Sequence, residues 1–287
     1  MPRARRITVG GIGTRLLEAG PADASEAVLF VHGNPGSAND FADLIDKTGE
    51  FARAVAFDMP GFGDADDPPA SFEIHVGSYS NFIQQALEEL GIERVHLVLH
   101  DFGGPFGLLW GLQHPDAWRS TVLLNIGIMP GYRWHVTARR WRTPLLGELL
   151  MAWIPRSAWR KQFLAAPGRK LPLDFIDEMY DNFDRGTRKV VLKLYRSTPD
   201  PGEGAKLVGD AIAQLHKPAL VVWGMADRFV AGEFADRQGE FFDVRRVVKL
   251  DDSGHWPFRD NPEAMDEAVL PWLREQLQPA PETPPQP

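Results

Sequence analysis

The run Val95-His96-Leu97-Val98-Leu99-His100 is mostly apolar, breaks at Asp101-Phe102-Gly103-Gly104-Pro105, and passes into a helix-like stretch, Phe106 to Gln113. So short and apolar a run reads as a strand covered on both faces. Two glycines make the turn sharp, and a proline in the first turn of a helix loses no hydrogen bond. Strand, tight turn and helix together present the residue at the tip, here Asp101, at the edge of a sheet. As a structural element Asp101 would be a helix N-cap, a common task for aspartate. As a chemical one it would be a nucleophile, kept ionised by the positive end of the helix.

The rest of the chain repeats this alternation. Val28–His32, Ala54–Phe57, Thr121–Asn125, Leu220–Trp223 and Val244–Leu250 read as further short strands. Ser78–Leu90, Pro105–Gln113 and Asn261–Leu277 read as amphipathic helices between or after them. Alternating strand and helix predicts an α/β fold with a mostly parallel, doubly wound sheet. One block interrupts it. From about Met129 to His216 no strand is evident, and Trp134, Trp141, Trp153 and Trp159 fall among many arginines. The expected organisation is therefore a core of residues 1–128 and 217–277, a helical cap of residues 129–216, and a disordered proline-rich tail of residues 278–287. Ligands of open α/β sheets bind beyond the carboxyl ends of the strands, where such a cap would close over them.

Composition narrows the partners. The net charge of −8 argues against nucleic acid, which needs a basic face. There is no cysteine, so disulfides, thiolate metal sites and cysteine nucleophiles are excluded. The basic N-terminus lacks the apolar core of a secretory signal. The longest greasy stretch, Leu145 to Ile154, contains Glu148 and falls far short of the roughly 20 residues a membrane span needs. The expectation is a soluble, cytoplasmic protein with a small-molecule substrate and no membrane partner. A homodimer is possible if the cap's aromatic residues form an interface.

Three more motifs join the first. His32-Gly33-Asn34-Pro35-Gly36 follows a strand and can turn backbone N–H groups into a cleft. Val221-Val222-Trp223-Gly224-Met225-Ala226-Asp227 sets an acid in the loop after a strand, and Asp251-Asp252-Ser253-Gly254-His255 ends the last strand on a loop histidine. Singly, a loop Asp or His is usually solvated surface. In the order nucleophile, acid, histidine they match the α/β-hydrolase arrangement.

From Val28 to Leu277 the chain resembles the epoxide hydrolases of the α/β-hydrolase superfamily and their close relatives, the haloalkane dehalogenases. The resemblance implies that Asp101 attacks a saturated carbon to give an alkyl-enzyme ester. His255, oriented by Asp227, would activate the water that hydrolyses it. The backbone N–H groups of Asn34 and Phe102 would form the oxyanion hole. No metal or organic cofactor is implied.

The two families differ in how the leaving group is held. Epoxide hydrolases use cap tyrosines, and Tyr195 in Leu194-Tyr195-Arg196 sits in a similar context. Tyr132 and Tyr180 are candidates for a second. Dehalogenases use N–H donors, often an Asn in the His-Gly-Asn-Pro turn and an indole after the nucleophile. Asn34 suits the first, but Phe102 carries no donor. Trp153 in the cap could substitute, so Trp153 and Tyr132 are candidate pocket residues. Epoxide hydrolysis is the leading expectation and haloalkane dehalogenation the alternative. A non-catalytic ligand-binding protein of the same fold is the weakest.

Overall fold

A computed structural model describes residues 1–198 and 200–278. The chain order is β1 (Arg3–Val9), β2 (Ile12–Ala19), β3 (Glu26–Val31), α1 (Ala42–Thr48), β4 (Arg53–Phe57), α2 (Val76–Glu89), β5 (Arg94–His100), α3 (Gly103–Gln113) and β6 (Trp118–Leu124). Six helices follow: α4 (Val136–Arg142), α5 (Leu146–Ala152), α6 (Arg156–Leu164), α7 (Leu173–Asn182), α8 (Arg185–Ser197) and α9 (Pro201–Ala213). The chain then returns through β7 (Pro218–Gly224), α10 (Glu233–Arg237), β8 (Asp243–Leu250), α11 (Pro257–Asp260) and α12 (Pro262–Gln276).

The eight strands form one sheet in the order β1-β2-β4-β3-β5-β6-β7-β8. From β4 to β8 every neighbouring pair is parallel. The central strands β3, β5, β6 and β7 are almost wholly buried, which is why they lack a polar alternation. Helices α2, α3 and α12 lay apolar faces on the sheet, through residues such as Phe82, Phe106 and Val269.

The N-terminal hairpin β1–β2 corrects the sequence reading, which assigned no strand before Val28. It joins the sheet antiparallel to β4. In β1 only Ile7 and Val9 point inward. Arg3 and Arg5 pair with the buried Glu18, and Arg6 with Asp66. A strand whose outward residues are arginines has too few apolar positions to announce itself.

Helix α8 illustrates how the inserted helices are built. Asp184 caps it by accepting the Thr187 N–H at 2.9 Å, and Thr187, Val190, Val191 and Leu194 line its buried face. Of the expected tail, residues 279–287 lie outside the described residues. Among the described residues no helix is long and apolar enough to cross a membrane.

Candidate functional site

Loops leaving the carboxyl ends of five parallel strands converge. Asn34 follows β3, Asp101 follows β5, Asn125 follows β6, Asp227 follows β7 and His255 follows β8. Asp101 has a φ of +48°, a left-handed conformation that costs a non-glycine residue strain, and it sits at the tip of a strand-to-helix turn. The surrounding glycines make that turn fit. A Cβ on Gly103 would lie 2.1 Å from the Val31 carbonyl oxygen, and one on Gly33 would lie 2.3 Å from the Asp101 Cβ.

Asp101 and Asp227 meet at His255. The imidazole Nδ1 is 2.6 Å from Asp227 Oδ2, and Nε2 is 3.4 Å from Asp101 Oδ2. Asp227 is fixed further by N–H groups of Phe229 (2.7 Å) and Val230 (3.1 Å) on Oδ1, and by the Asn125 amide (2.8 Å) on Oδ2. Asn125 escaped the sequence reading. Its signal was a polar residue ending an otherwise apolar strand.

The other oxygen of Asp101, Oδ1, accepts the Asn34 backbone N–H at 2.7 Å. The Phe102 N–H opens the first turn of α3 and makes no hydrogen bond among the described residues. One carboxylate oxygen therefore rests where an oxyanion hole would hold it, and the other faces the histidine. His32 braces the loop, accepting the Met59 N–H at 3.0 Å.

Burial would raise the Asp101 carboxyl, but the hydrogen bond and charge of His255, with the Asn34 amide, hold it below the usual carboxylate range. Asp227 is lowered in the same way, burial being outweighed by His255. For His255 burial pulls downward, yet the charges and hydrogen bonds of Asp227 and Asp101 prevail and raise it to about 10.

Two cavities open onto Asp101. The larger, about 300 Å³, lies between α3 and α9 and is lined by apolar side chains including Leu108, Leu109, Ile128, Met129 and Val208. The smaller, about 50 Å³, is aromatic and carries the polar groups, among them Asn34, His135, Trp141, Tyr195 and His255.

Tyr195 is buried on α8 in the smaller chamber, edge-on to Phe102 at 5.0 Å. Its hydroxyl accepts a long hydrogen bond, 3.5 Å, from Asn34 Nδ2, which leaves its own O–H free to donate. Burial, then the Asp101 charge, raises its pKa, so the phenol stays protonated. Tyr132 lines both cavities, but its hydroxyl donates to the Phe229 carbonyl at 3.2 Å.

Two expectations are corrected. Trp153 follows α5 in an extended conformation and is exposed, whereas the residues that short helix buries are Gly147 and Met151. It lines neither cavity. Tyr180 donates to the Ile154 carbonyl at 2.8 Å and also lies outside both.

His135 was missed. It caps α4, Nδ1 accepting the Ala138 N–H at 3.3 Å, so the ring proton belongs on Nε2. Burial lowers its pKa to about 4, which keeps the ring neutral. Trp141, nearly two turns further on, lines the same chamber, and its indole N–H has no partner among the described residues. Nothing in the sequence marks which face of α4 looks inward. Among the described residues no group of three or more His, Asp or Glu side chains could hold a metal ion.

Residues 26–150 match the family model described as alpha/beta hydrolase fold. A haloalkane dehalogenase of Bradyrhizobium diazoefficiens is 26% identical over 94% of this chain and 93% of its own. Among solved structures, the haloalkane dehalogenase DbeA of Bradyrhizobium elkani superposes with a TM-score of 0.83 at 22% identity, covering 96% of this chain and 99% of that one. The epoxide hydrolase CorEH superposes with a TM-score of 0.80 at 16% identity, with the same coverage. At such identities the likeness to these structures is one of fold.

Proposed function

We propose that this chain, an α/β-hydrolase by fold, hydrolyses epoxides to vicinal diols through an ester on Asp101. The observation that carries this is the free O–H of Tyr195 over the nucleophile, with a neutral His135 in the same chamber. Ring opening leaves charge on an oxygen, and a proton donor across from the attacking carboxylate is what that charge requires.

Asp101 Oδ2 attacks an epoxide carbon, the ring C–O bond breaks, and the ring oxygen takes the Tyr195 proton while His135 Nε2–H donates a hydrogen bond to it. Oδ1, already on the Asn34 N–H, becomes the ester carbonyl. Water then adds to the Asp101 Cγ as His255 removes its proton, and the oxyanion rests on the Asn34 and Phe102 amides. Collapse breaks the Cγ–Oδ2 bond, and the departing oxygen takes the proton held by His255. The diol keeps Oδ2, and the water oxygen stays on Asp101, whose carboxyl proton passes to His255; the proton that His255 gave up before hydrolysis is the one that restores Tyr195.

Dehalogenation is the second reading. Asn34 Nδ2 and the unpartnered Trp141 indole are two N–H donors in the chamber, enough to cradle a halide. Incubation with styrene oxide and, separately, with 1,2-dibromoethane decides between them. Diol without bromide release supports epoxide hydrolysis. Bromide without diol would overturn it in favour of the second reading.

A further inference from the structure

Among the described residues, the exposed large hydrophobic side chains are not scattered. Eight of eleven lie between Val136 and Leu173. Leu145 is 84% exposed, Leu149 71% and Trp153 78%. Leu146, Leu149 and Leu150 follow the spacing of one helical face, so α5 turns an apolar stripe to solvent, and the exposed Trp153 just past its end extends it. A monomer rarely leaves such a patch without use.

The charge around it is one-sided. Residues 133–170 hold nine Lys and Arg against one acid, Glu148, in a chain whose total is −8. Glu148 is itself engaged by Arg196 at 2.6 and 2.9 Å. Arg133, Arg139, Arg140 and Lys161 are exposed and form no ion pair among the described residues. Arg139 and Arg140 lie on α4, against which α5 packs tightly: a Cβ on Gly147 would stand 2.0 Å from the Trp141 carbonyl oxygen.

We propose that the α4–α5 face of the cap docks on an anionic lipid surface, its apolar stripe entering the headgroup boundary and its arginines meeting the headgroups. An exposed apolar face, free cations beside it and a tryptophan at its edge are what interfacial binding requires. A second copy of the chain fits less well, since a two-fold contact would set these arginines against each other. That no helix among the described residues is long and apolar enough to cross a membrane does not bear on attachment of this kind. Thr137, on the helix that carries Arg139 and Arg140, lines the smaller chamber, so the face adjoins the site. The docking is independent of which leaving group that site accepts.

The test is flotation of the full chain with phosphatidylcholine vesicles, with and without one-third phosphatidylglycerol. As the chain has no cysteine, Trp153→Cys also gives a unique position for an environment-sensitive fluorophore. Expected results are flotation only with the anionic vesicles, a blue shift of the label, and loss of both at high salt. Arg139→Glu with Arg140→Glu should lower lipid affinity at least 25-fold, at about fivefold for each cation lost. Leu149→Glu should abolish flotation, whereas Leu207→Glu, an equally exposed leucine on α9, should not. Matching thermal melts guard against misfolding. Absence of flotation at low salt overturns the proposal, as does flotation indifferent to Leu149→Glu. So would a dimer that Leu149→Glu dissolves while vesicles go unbound.

Discussion

Tyr195→Phe separates the chemistry of the chamber from its packing. The residue is 3% exposed and packs against Phe102, Trp134 and Trp141, contacts that a phenylalanine ring retains. Among the described residues the only hydrogen bond lost is the long one from Asn34, so stability should fall by about 1 kcal/mol or less, a Tm shift of about 2–4 °C. Ring opening should suffer far more. A positioned general acid contributes about 10²–10⁴ in rate, or about 3–5 kcal/mol of barrier. The assay is single-turnover formation of the Asp101 ester, followed by intact mass in a His255→Gln background that cannot hydrolyse it. An epoxide should react at least about 100-fold more slowly in Tyr195→Phe. A bromoalkane, whose displacement needs no proton, should not. His135→Phe acts on the same oxygen, so the double variant should lose less than the sum of the two. Wild-type ester formation from an epoxide by Tyr195→Phe would refute the assigned donor.

His255→Gln alone should accumulate a covalent adduct whose mass equals protein plus epoxide. Full turnover by that variant would remove histidine from the mechanism. Gly204→Phe should narrow the larger cavity, because a Cβ there meets nothing within 4 Å. Rejecting about two methylenes at about 0.8 kcal/mol each, it should cut kcat/KM about tenfold for long-chain epoxides and spare short ones. An unchanged chain-length profile would exclude that cavity as the chain's path. Stability should follow the titration of His255, raised to about 10 in the folded protein from about 6.5 unfolded. Its contribution is complete below pH 6.5 and lost as pH rises through 10. Thermal melts across that range should fall more steeply for wild type than for His255→Gln, and parallel curves would contradict the raised value.

The parallel strands were legible because burial on both faces leaves them continuous in hydrophobicity, as in β5. Asp101, Asp227 and His255 meet because strand ends of one sheet deliver them to one place, which chain order already implies. The hairpin β1–β2 was not legible. Its arginines acquire partners only when Glu18 and Asp66 fold beside them. Helical content between β6 and β7 could be read from composition, but the rotation of each short helix could not. On α5 that rotation sends Leu149 to solvent and Met151 inward, and where the chain enters and leaves such helices it turns His135 inward and Trp153 outward. Tertiary packing sets such phases, and a seven-residue helix offers too few turns for periodicity to show them.

In the proposed reaction, the charge on His255 would also time the two halves. In the resting site the ring lies between two carboxylates and is protonated at neutral pH, so it cannot act as a base. Once Asp101 becomes an ester, one of the two negative charges holding that proton is gone, while burial still opposes it. His255 should then release the proton and become the base that ester hydrolysis needs. The proposed ring opening would consume one proton at this stage, through Tyr195, so the release and the demand would cancel. An indicator-monitored single turnover with an epoxide should therefore show no net proton change as the ester forms. A bromoalkane, which consumes none, should release one proton per site with the bromide. Proton uptake during ester formation from an epoxide would mean that His255 stays charged, and this account of its timing would fail.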